Sequence, residues 1–335
     1  MAAVPECRGF QLLECRVIAV TVVKATSAHA GVRLDRFLVA RLPQFTRSQI
    51  HRWIAEGRVR VDGSVRKPAY VVRRGERIAI DPPTPAPASV LPETIPLDIL
   101  FEDTACLVVN KPAGMVVHPG AGQARGTLVN ALLAHCTDLA GVGDAIRPGI
   151  VHRLDKGTSG VMVVAKTHAA HAALVRQFQE RRVTKRYLAI VFGRIAEAGR
   201  IDVPIGRHPT DRKRMSTRAR RSRPAETAWR VREYFGDRAA WLEVDLGTGR
   251  THQIRVHLSA AGHPIVGDAA YGAARALARL PSEAHEALAG FPRPALHAWR
   301  LAFDHPATGE RLQFIAPIPT DFAWLVERCR MLAAS

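Results

Sequence analysis

Residues 149–160 read GIVHRLDKGTSG and hold one carboxylate, Asp155, in a polar stretch between two short apolar runs. Arg153 and Lys156 flank it, and neighbouring cations favour the ionised form of a carboxylate. A carboxylate kept charged in a loop at a strand end suits a nucleophile better than a general acid. The same residues also describe a structural ion pair at a turn, the commoner use of a lone aspartate. Thr158, Ser159 and two glycines would let a ligand approach closely, so the loop by itself leaves both readings open.

Other chemistries fit the spacing less well. His252 and His257 are five residues apart, not the four of a helical metal pair, while His118 and His152 lie far away with no acidic cluster. No metal site is expected. The glycine-rich stretch 120–126 lacks the Gly-Lys-Ser/Thr of a phosphate loop, which argues against a nucleoside triphosphate site. Cations are abundant instead. Residues 207–223 carry eight Lys or Arg against one Asp, with Arg212, Lys213 and Arg214 in succession. Pro209, Ser216, Thr217 and the scarcity of apolar residues make this stretch read as a long exposed loop, either a solvated insert or a grip on RNA. Residues 31–80 carry 12 Lys or Arg against four Asp or Glu. Arg33, Arg36, Arg41, Arg47 and Arg52 fall on or beside two expected helices. Arginine in excess of lysine favours a surface that tracks phosphates over a merely solvated face.

These residues need elements to position them. Val32, Leu34, Phe37, Leu38 and Leu42 recur at helical steps, and Ser48 can cap a second helix that turns Ile50, Trp53 and Ile54 inward and ends at Gly57. Val59-Arg60-Val61, an Asp62-Gly63 turn and an alternating segment ending at 77–80 read as a small sheet. Residues 29–80 are therefore expected to form two helices on a small sheet. Residues 81–96 contain six prolines and read as an extended linker. Residues 1–28 are expected to be a poorly ordered lead-in, with one edge strand at 17–23. They are not expected to be a secretory signal, because Glu6, Arg8, Glu14 and Arg16 interrupt every apolar run. From 97 to 330, strand-like runs fall at 106–110, 161–165, 187–192, 241–246 and 301–304. Helix-like runs fall at 127–135, 167–181, 251–261 and 321–332. In the 251–261 run Thr251 can act as the cap, with Ile254 and Leu258 on the apolar face. Strands outnumber helices without regular alternation, which favours an α+β fold with a mixed, largely antiparallel sheet over a doubly wound one.

Composition sets the outer bounds. The chain has 335 residues, 47% of them hydrophobic and 23% charged, an ordinary balance for a folded protein. A formal charge of +18 and a pI near 10.8 point to a polyanionic partner, nucleic acid before an anionic membrane. No apolar run reaches the roughly 18 residues of a membrane-spanning helix. Cys7, Cys15, Cys106, Cys136 and Cys329 are scattered, with no C-x-x-C pair, which suits a reducing cytoplasm better than a disulfide framework.

The motifs carry two resemblances. Residues 33–63, RLDRFLVARLPQFTRSQIHRWIAEGRVRVDG, followed by GERIAI at 75–80, resemble the S4 RNA-binding module. HRLDKGTSG resembles the H-R-L-D-x-x-T-S-G signature of RluA-type pseudouridine synthases. Similar segments follow the family order: NKPAGMVVHPGAG at 110–122, GTLVNALL at 126–133, KRYLAIVFG at 185–193, LGTGRTHQIRVHLSAAGHPIVGDAAYG at 246–272 and LHAWRLAFDHPATGE at 296–310. HPGAG, GTLVNALL and RHPTDRKRMS resemble the RluD-like branch, which acts on large-subunit ribosomal RNA. The resemblance covers residues 31–330.

The resemblance implies a cytoplasmic, monomeric isomerase that turns uridine into pseudouridine in 23S ribosomal RNA, free or in a pre-50S particle, with no cofactor and no metal. It implies Asp155 as catalytic carboxylate, Tyr187 against the flipped uracil and Arg255 as the partner of Asp155. It implies RNA contacts from Arg153, His152, Arg250, Arg33, Arg36, Arg47, Arg52, Arg212, Lys213 and Arg214. Two departures stand out: Gly157 where close relatives often carry Asp, and extra arginines at 207–223.

Overall fold

The computed structural model describes residues 21–42, 45, 47–81, 90–120, 122–211 and 213–334. Residues 1–20, half of the Pro-rich linker (82–89) and Arg212 lie outside the described residues. The chain divides into two compact units, Met1–Pro87 and Ala88–Ser335.

The first unit contains strand β1 (Thr21–Lys24), helices α1 (Leu34–Arg41) and α2 (Arg47–Ala55), and strands β2 (Val59–Val61), β3 (Ser64–Val65) and β4 (Arg77–Ile80). The sheet order is β1-β4-β2-β3, with antiparallel neighbours. Asp62 and Gly63 both have positive φ, 46° and 78°, which matches the twist a two-residue hairpin needs. Leu34, Phe37, Leu38, Ile50, Trp53 and Ile54 pack on Val59, Val61, Ile78 and Ile80. Ser48 is not the cap expected of it, because α2 already begins at Arg47.

The second unit opens with β5 (Ile99–Glu102), β6 (Cys106–Lys111) and α3 (Leu128–His135), whose cap is Thr127. A two-residue hairpin, β7 (Gly143–Asp144) and β8 (Arg147–Pro148), leads into the Asp155 loop, β9 (Ser159–Ala165) and α4 (His168–Gln179). Then come β10 (Thr184–Phe192), β11 (Ala198–Asp202), β12 (Ile205–Arg207), β13 (Met215–Ser216), β14 (Ser222–Arg223), β15 (Glu226–Phe235) and β16 (Ala239–Leu246). Helices α5 (Gln253–Ala260), α6 (Ala273–Leu277) and α7 (Ser282–Ala289) precede β17 (Leu296–Asp304), β18 (Arg311–Ile315) and α8 (Thr320–Ala334).

Nine strands form one sheet in the order β11-β15-β16-β10-β17-β9-β6-β5, with β18 on β17. Every pairing is antiparallel except β17 with β9, which meet in parallel at His297–Ser159 and Ala298–Gly160. The sheet lies over two apolar cores, and β17 at this join contributes to both, Leu296 to one and Ala298, Leu301 and Phe303 to the other. Tyr187 packs against both cores. Gly160 makes the join possible: its φ is 119°, and a Cβ there would sit 2.1 Å from the carbonyl oxygen of Ala298.

Two expectations need correction. Residues 207–223 are not a structureless loop but part of a small sheet of β13-β12-β14. Ile205 and Ala225 at its base pack with Val256 and Tyr271. Strands of two or three residues are too short to show a period in sequence. Helix α5 starts at Gln253, not Thr251, and its N-cap is His252 in the left-handed region at φ 57°.

Candidate active site

The loop before β9 holds Asp155 at the parallel join of β9 with β17. Its own turn is closed by Thr158 N–H donating to the Asp155 carbonyl at 3.0 Å. Two distant groups brace it. Gly114 N–H donates to the Lys156 carbonyl at 2.7 Å, and Arg293 Nη1 donates to the Gly157 carbonyl at 3.3 Å. Arg293 is buried and forked onto Asp321 at 2.6 and 2.8 Å. A Cβ at Gly157 would sit 2.9 Å from Pro294 Cδ, so glycine suits this tight approach.

Helix α5 delivers the partner. Arg255 Nη1 donates to Asp155 Oδ2 at 3.0 Å. Its Nε and Nη2 donate to Asp268 at 2.6 and 2.8 Å, a fork that fixes the guanidinium plane. The charges of Asp268 and Asp155 outweigh burial and raise the Arg255 pKa further, so this cation is permanent. His252 Nε2 stands 3.8 Å from the same Oδ2. Neither Arg153 nor Lys156, the cations adjacent in sequence, pairs with Asp155 among the described residues. Gln253 ties the start of α5 to the preceding turn: its Oε1 accepts from Thr248 Oγ1 at 2.7 Å and from Arg250 N–H at 2.9 Å.

Asp155, Arg153, Tyr187, Arg250, His252 and Arg255 all line one cleft of about 540 Å³ open to solvent, with Leu246 and Leu296 as apolar wall. Burial, helped by the Asp155 charge, pushes the Tyr187 phenol up and keeps it protonated. Arg250 donates to the Pro224 carbonyl at 3.1 Å, so part of its guanidinium is already engaged. Arg153 is exposed at the mouth.

His152 behaves differently from its expected role. Its Nε2 accepts the Val163 N–H at 3.1 Å and its ring stacks on Phe178 at 4.8 Å, so its accepting edge serves the loop. Lys213 and Arg214 lie in the turn that joins β12 to β13 of the small insert sheet. Arg33, Arg36, Arg47 and Arg52 belong to the first unit, where Arg33 and Arg47 hold Asp35. The sequence does not single out Asp268, Tyr271 or Arg293, and it offers His252 only as a poorly spaced metal ligand. Asp268 and Tyr271 fall inside the GDAAYG stretch, whose pattern gives no spacing that would single them out. Two groupings of metal-capable side chains lie away from the cleft. In one, Glu102 receives Lys166 at 2.6 Å and His135 at 2.7 Å. In the other, Asp103 caps the amides of Ala105 and Cys106 and pairs with His305 at 2.7 Å.

The cleft at the one parallel join of the sheet thus holds an arginine-bound aspartate and a tyrosine. Comparison with known proteins fixes the class. Residues 105–260 match the RNA pseudouridylate synthase family, and residues 32–78 match the S4 domain. The chain is 44% identical over 309 residues to an RNA pseudouridine synthase of Bacillus subtilis, covering 92% of this chain and 97% of that one. It is 46% identical over 301 residues to ribosomal large subunit pseudouridine synthase D of Pseudomonas aeruginosa, covering 90% and 92%. The solved structure of human RNA pseudouridylate synthase domain containing 1 superposes with a TM-score of 0.52 at 32% identity, covering 68% of this chain and 85% of that one. The chain belongs to the RNA pseudouridine synthase family. It is an isomerase of the RluD-like branch, with an S4 domain ahead of its catalytic unit.

Proposed function

We propose that this enzyme isomerises specific uridines in large-subunit ribosomal RNA, free or in an assembling particle, and that Asp155 is its catalytic carboxylate. The observation that carries the reading is the pairing of Asp155 through one oxygen with the buried Arg255 in a cleft shared with Tyr187. The reaction breaks the bond from C1′ to N1, turns the base and joins C1′ to C5; the C5 hydrogen leaves as a proton and N1 takes one up. It conserves atoms and needs no redox partner. A base cannot turn inside a stack, so the nucleotide must be flipped out, at a cost of a few kcal/mol. Attack at C1′ of the ribose, attack at C6 of the base and a glycal route each need an ionised carboxylate beside the extruded nucleotide.

Tyr187 stacks on the flipped uracil, a contact worth about 1–3 kcal/mol. Its phenol stays protonated, which favours stacking over uptake of the C5 proton. Arg153 at the mouth fills the gap left in the RNA stack, and Arg250 holds a phosphate. Lys213 and Arg214 on the insert, with Arg33, Arg36, Arg47 and Arg52 on the S4 unit, follow the phosphate backbone. The name of the Pseudomonas relative supports the ribosomal target, as does the +18 charge.

The test uses unmodified large-subunit RNA carrying tritium at uridine C5. Wild type should release tritium to water while Asp155→Ala releases none, and carbodiimide-stop primer extension should map the product sites. Release by Asp155→Ala would remove the catalytic role. Tight binding without release by wild type would favour a non-catalytic assembly factor.

A further inference from the structure

Three groups connect the basic insert to the carboxylate. Met215, the first residue of β13, donates its amide N–H to the hydroxyl oxygen of Tyr271 at 2.8 Å. That oxygen lies 2.8 Å from Nδ1 of His252. Nε2 of His252 lies 3.8 Å from Oδ2 of Asp155. An amide can only donate, so the Tyr271 oxygen accepts from Met215 and has its own proton left to give. Nδ1 of His252 is placed to accept it. Burial holds the His252 imidazole below its ordinary range; Asp155 and Asp268 oppose that shift, while Arg255 and Arg153 add to it. A neutral ring that accepts at Nδ1 carries its proton on Nε2. The donor amide of the insert thus favours the tautomer in which an N–H, not a lone pair, faces Asp155.

Two further observations point the same way. His252 is left-handed, a conformation that few residues other than Gly and Asn adopt without cost, and its side chain makes no capping bond to α5 in return. Its ring instead meets Tyr271 and Asp155. The Tyr271 ring also receives two guanidinium groups, Arg214 of the insert at 5.2 Å and Arg255, the partner of Asp155, at 4.9 Å.

We propose that seating of the basic insert sets the tautomer of His252, and that His252 and Tyr271 are positioning residues that couple RNA grip to the readiness of Asp155. With β13 undocked, the Tyr271 oxygen loses its amide donor and can accept from Nδ1–H. Nε2 would then turn a lone pair toward Asp155 Oδ2, and the two would repel. The inference rests on the catalytic role proposed for Asp155.

Tyr271→Phe keeps the ring and removes only the hydroxyl. Met215→Pro removes the donor amide of the insert, with Met215→Ala as the control for the side chain that packs on Tyr271. His252→Asn keeps a residue that tolerates the left-handed backbone. Imidazole ¹⁵N NMR of free, histidine-labelled protein reads the tautomer, with the His252 signals identified by their loss in His252→Asn. Wild type should show Nε2–H, and Tyr271→Phe and Met215→Pro should both shift toward Nδ1–H. In single-turnover tritium release at saturating RNA, Tyr271→Phe and His252→Asn should each slow the reaction about tenfold, the worth of one hydrogen bond in the transition state. RNA affinity should stay within about twofold, and the double variant should be no slower than the slower single variant. A tautomer unmoved by Tyr271→Phe overturns the relay, as do rate losses that multiply. Because the NMR arm needs no turnover, it decides the relay even if wild type releases no tritium and the functional reading fails.

Discussion

The tripeptide Arg-Leu-Asp occurs at 33–35 in the S4 unit and again at 153–155 in the catalytic unit, and the two aspartates are used in opposite ways. Asp35 lies in the first turn of α1, fully buried, and both of its oxygens are occupied. Oδ1 accepts Arg33 Nε at 3.1 Å and the Arg36 amide at 3.0 Å, while Oδ2 accepts Arg33 Nη2 at 3.1 Å, Arg47 at 2.9 Å and His51 at 3.0 Å. Asp155 keeps 17% of its side-chain surface exposed. Arg255 and His252 both address its Oδ2, and among the described residues nothing bonds to Oδ1. The arginine two places earlier forks onto Asp35 but ignores Asp155. A carboxylate saturated at both oxygens is a structural hub. One oriented through a single oxygen can still react at the other.

The comparison breaks most visibly by removing each charge in turn. Asp155→Asn should slow single-turnover tritium release at least about 1,000-fold while leaving the melting temperature nearly unchanged. Residual turnover above that level would put Asp155 in the same structural class as Asp35. Asp268→Asn comes next. It leaves Arg255 buried with half its fork unpaired, so it should cost about 3 kcal/mol of stability by urea unfolding. It should also slow turnover about 100-fold, because the guanidinium is no longer aimed at Asp155. Wild-type turnover in this variant would show that Arg255 is held by other groups.

That contrast also marks how far the sequence could be read. The long signature around Asp155, the apolar run of β9 and the helical run of α3 are local features, and local features are legible. The saturation of Asp35 is not, because Arg47 and His51 reach it from a second helix, 12 and 16 residues away. The Arg293 bond to the Gly157 carbonyl spans 136 residues. Strand β15 escaped detection because Glu226, Arg230, Arg232 and Glu233 break its apolar alternation, though it is ten residues long. The left-handed His252 leaves no mark in sequence, since the residue type gives no hint of positive φ. Family resemblance supplied Tyr187 and Arg255 as site residues; no spacing argument reached them.

Smaller effects sharpen the comparison by pH. Burial pushes the Asp35 carboxyl up, but Arg33, Arg47 and His51 outweigh it and hold the group well below the usual range. Its stabilisation is therefore present above the unfolded carboxylate value of about 4 and drains away as pH falls below it. At pH 7 Asp35→Asn should destabilise the S4 unit by about 1–3 kcal/mol, read as faster hydrogen exchange at α1 and α2 amides. The gap between wild type and variant should narrow steadily as pH falls from about 4 toward 2. A gap that stays constant over that range would mean that packing, not charge, is what Asp35 supplies.

Lys111 gives the same slope from the opposite cause in the catalytic unit, a buried cation left without a counter-charge. Its side chain is fully buried, and its ammonium donates to the carbonyls of Pro112 and Met115 at 2.7 and 2.8 Å, with no carboxylate in ion-pair contact among the described residues. Burial pushes it down to about 7, while the charge of Asp155 opposes the shift and that of Arg293 adds to it. An unfolded lysine titrates near 10.4. Between about 7 and 10 the unfolded chain therefore binds a proton that the folded chain does not, so raising pH favours the folded state, with a slope of up to about 1.4 kcal/mol per pH unit. Lys111→Met fills similar volume without titrating. The stability of wild type minus that of Lys111→Met, from urea unfolding at pH 7.5, 8.5 and 9.5, should climb through the series. A flat difference would mean that the folded ammonium titrates like an exposed lysine. The catalytic unit would then hold its buried cation compensated, as the S4 unit holds its buried anion, and the contrast between the two units would narrow to the one open oxygen of Asp155.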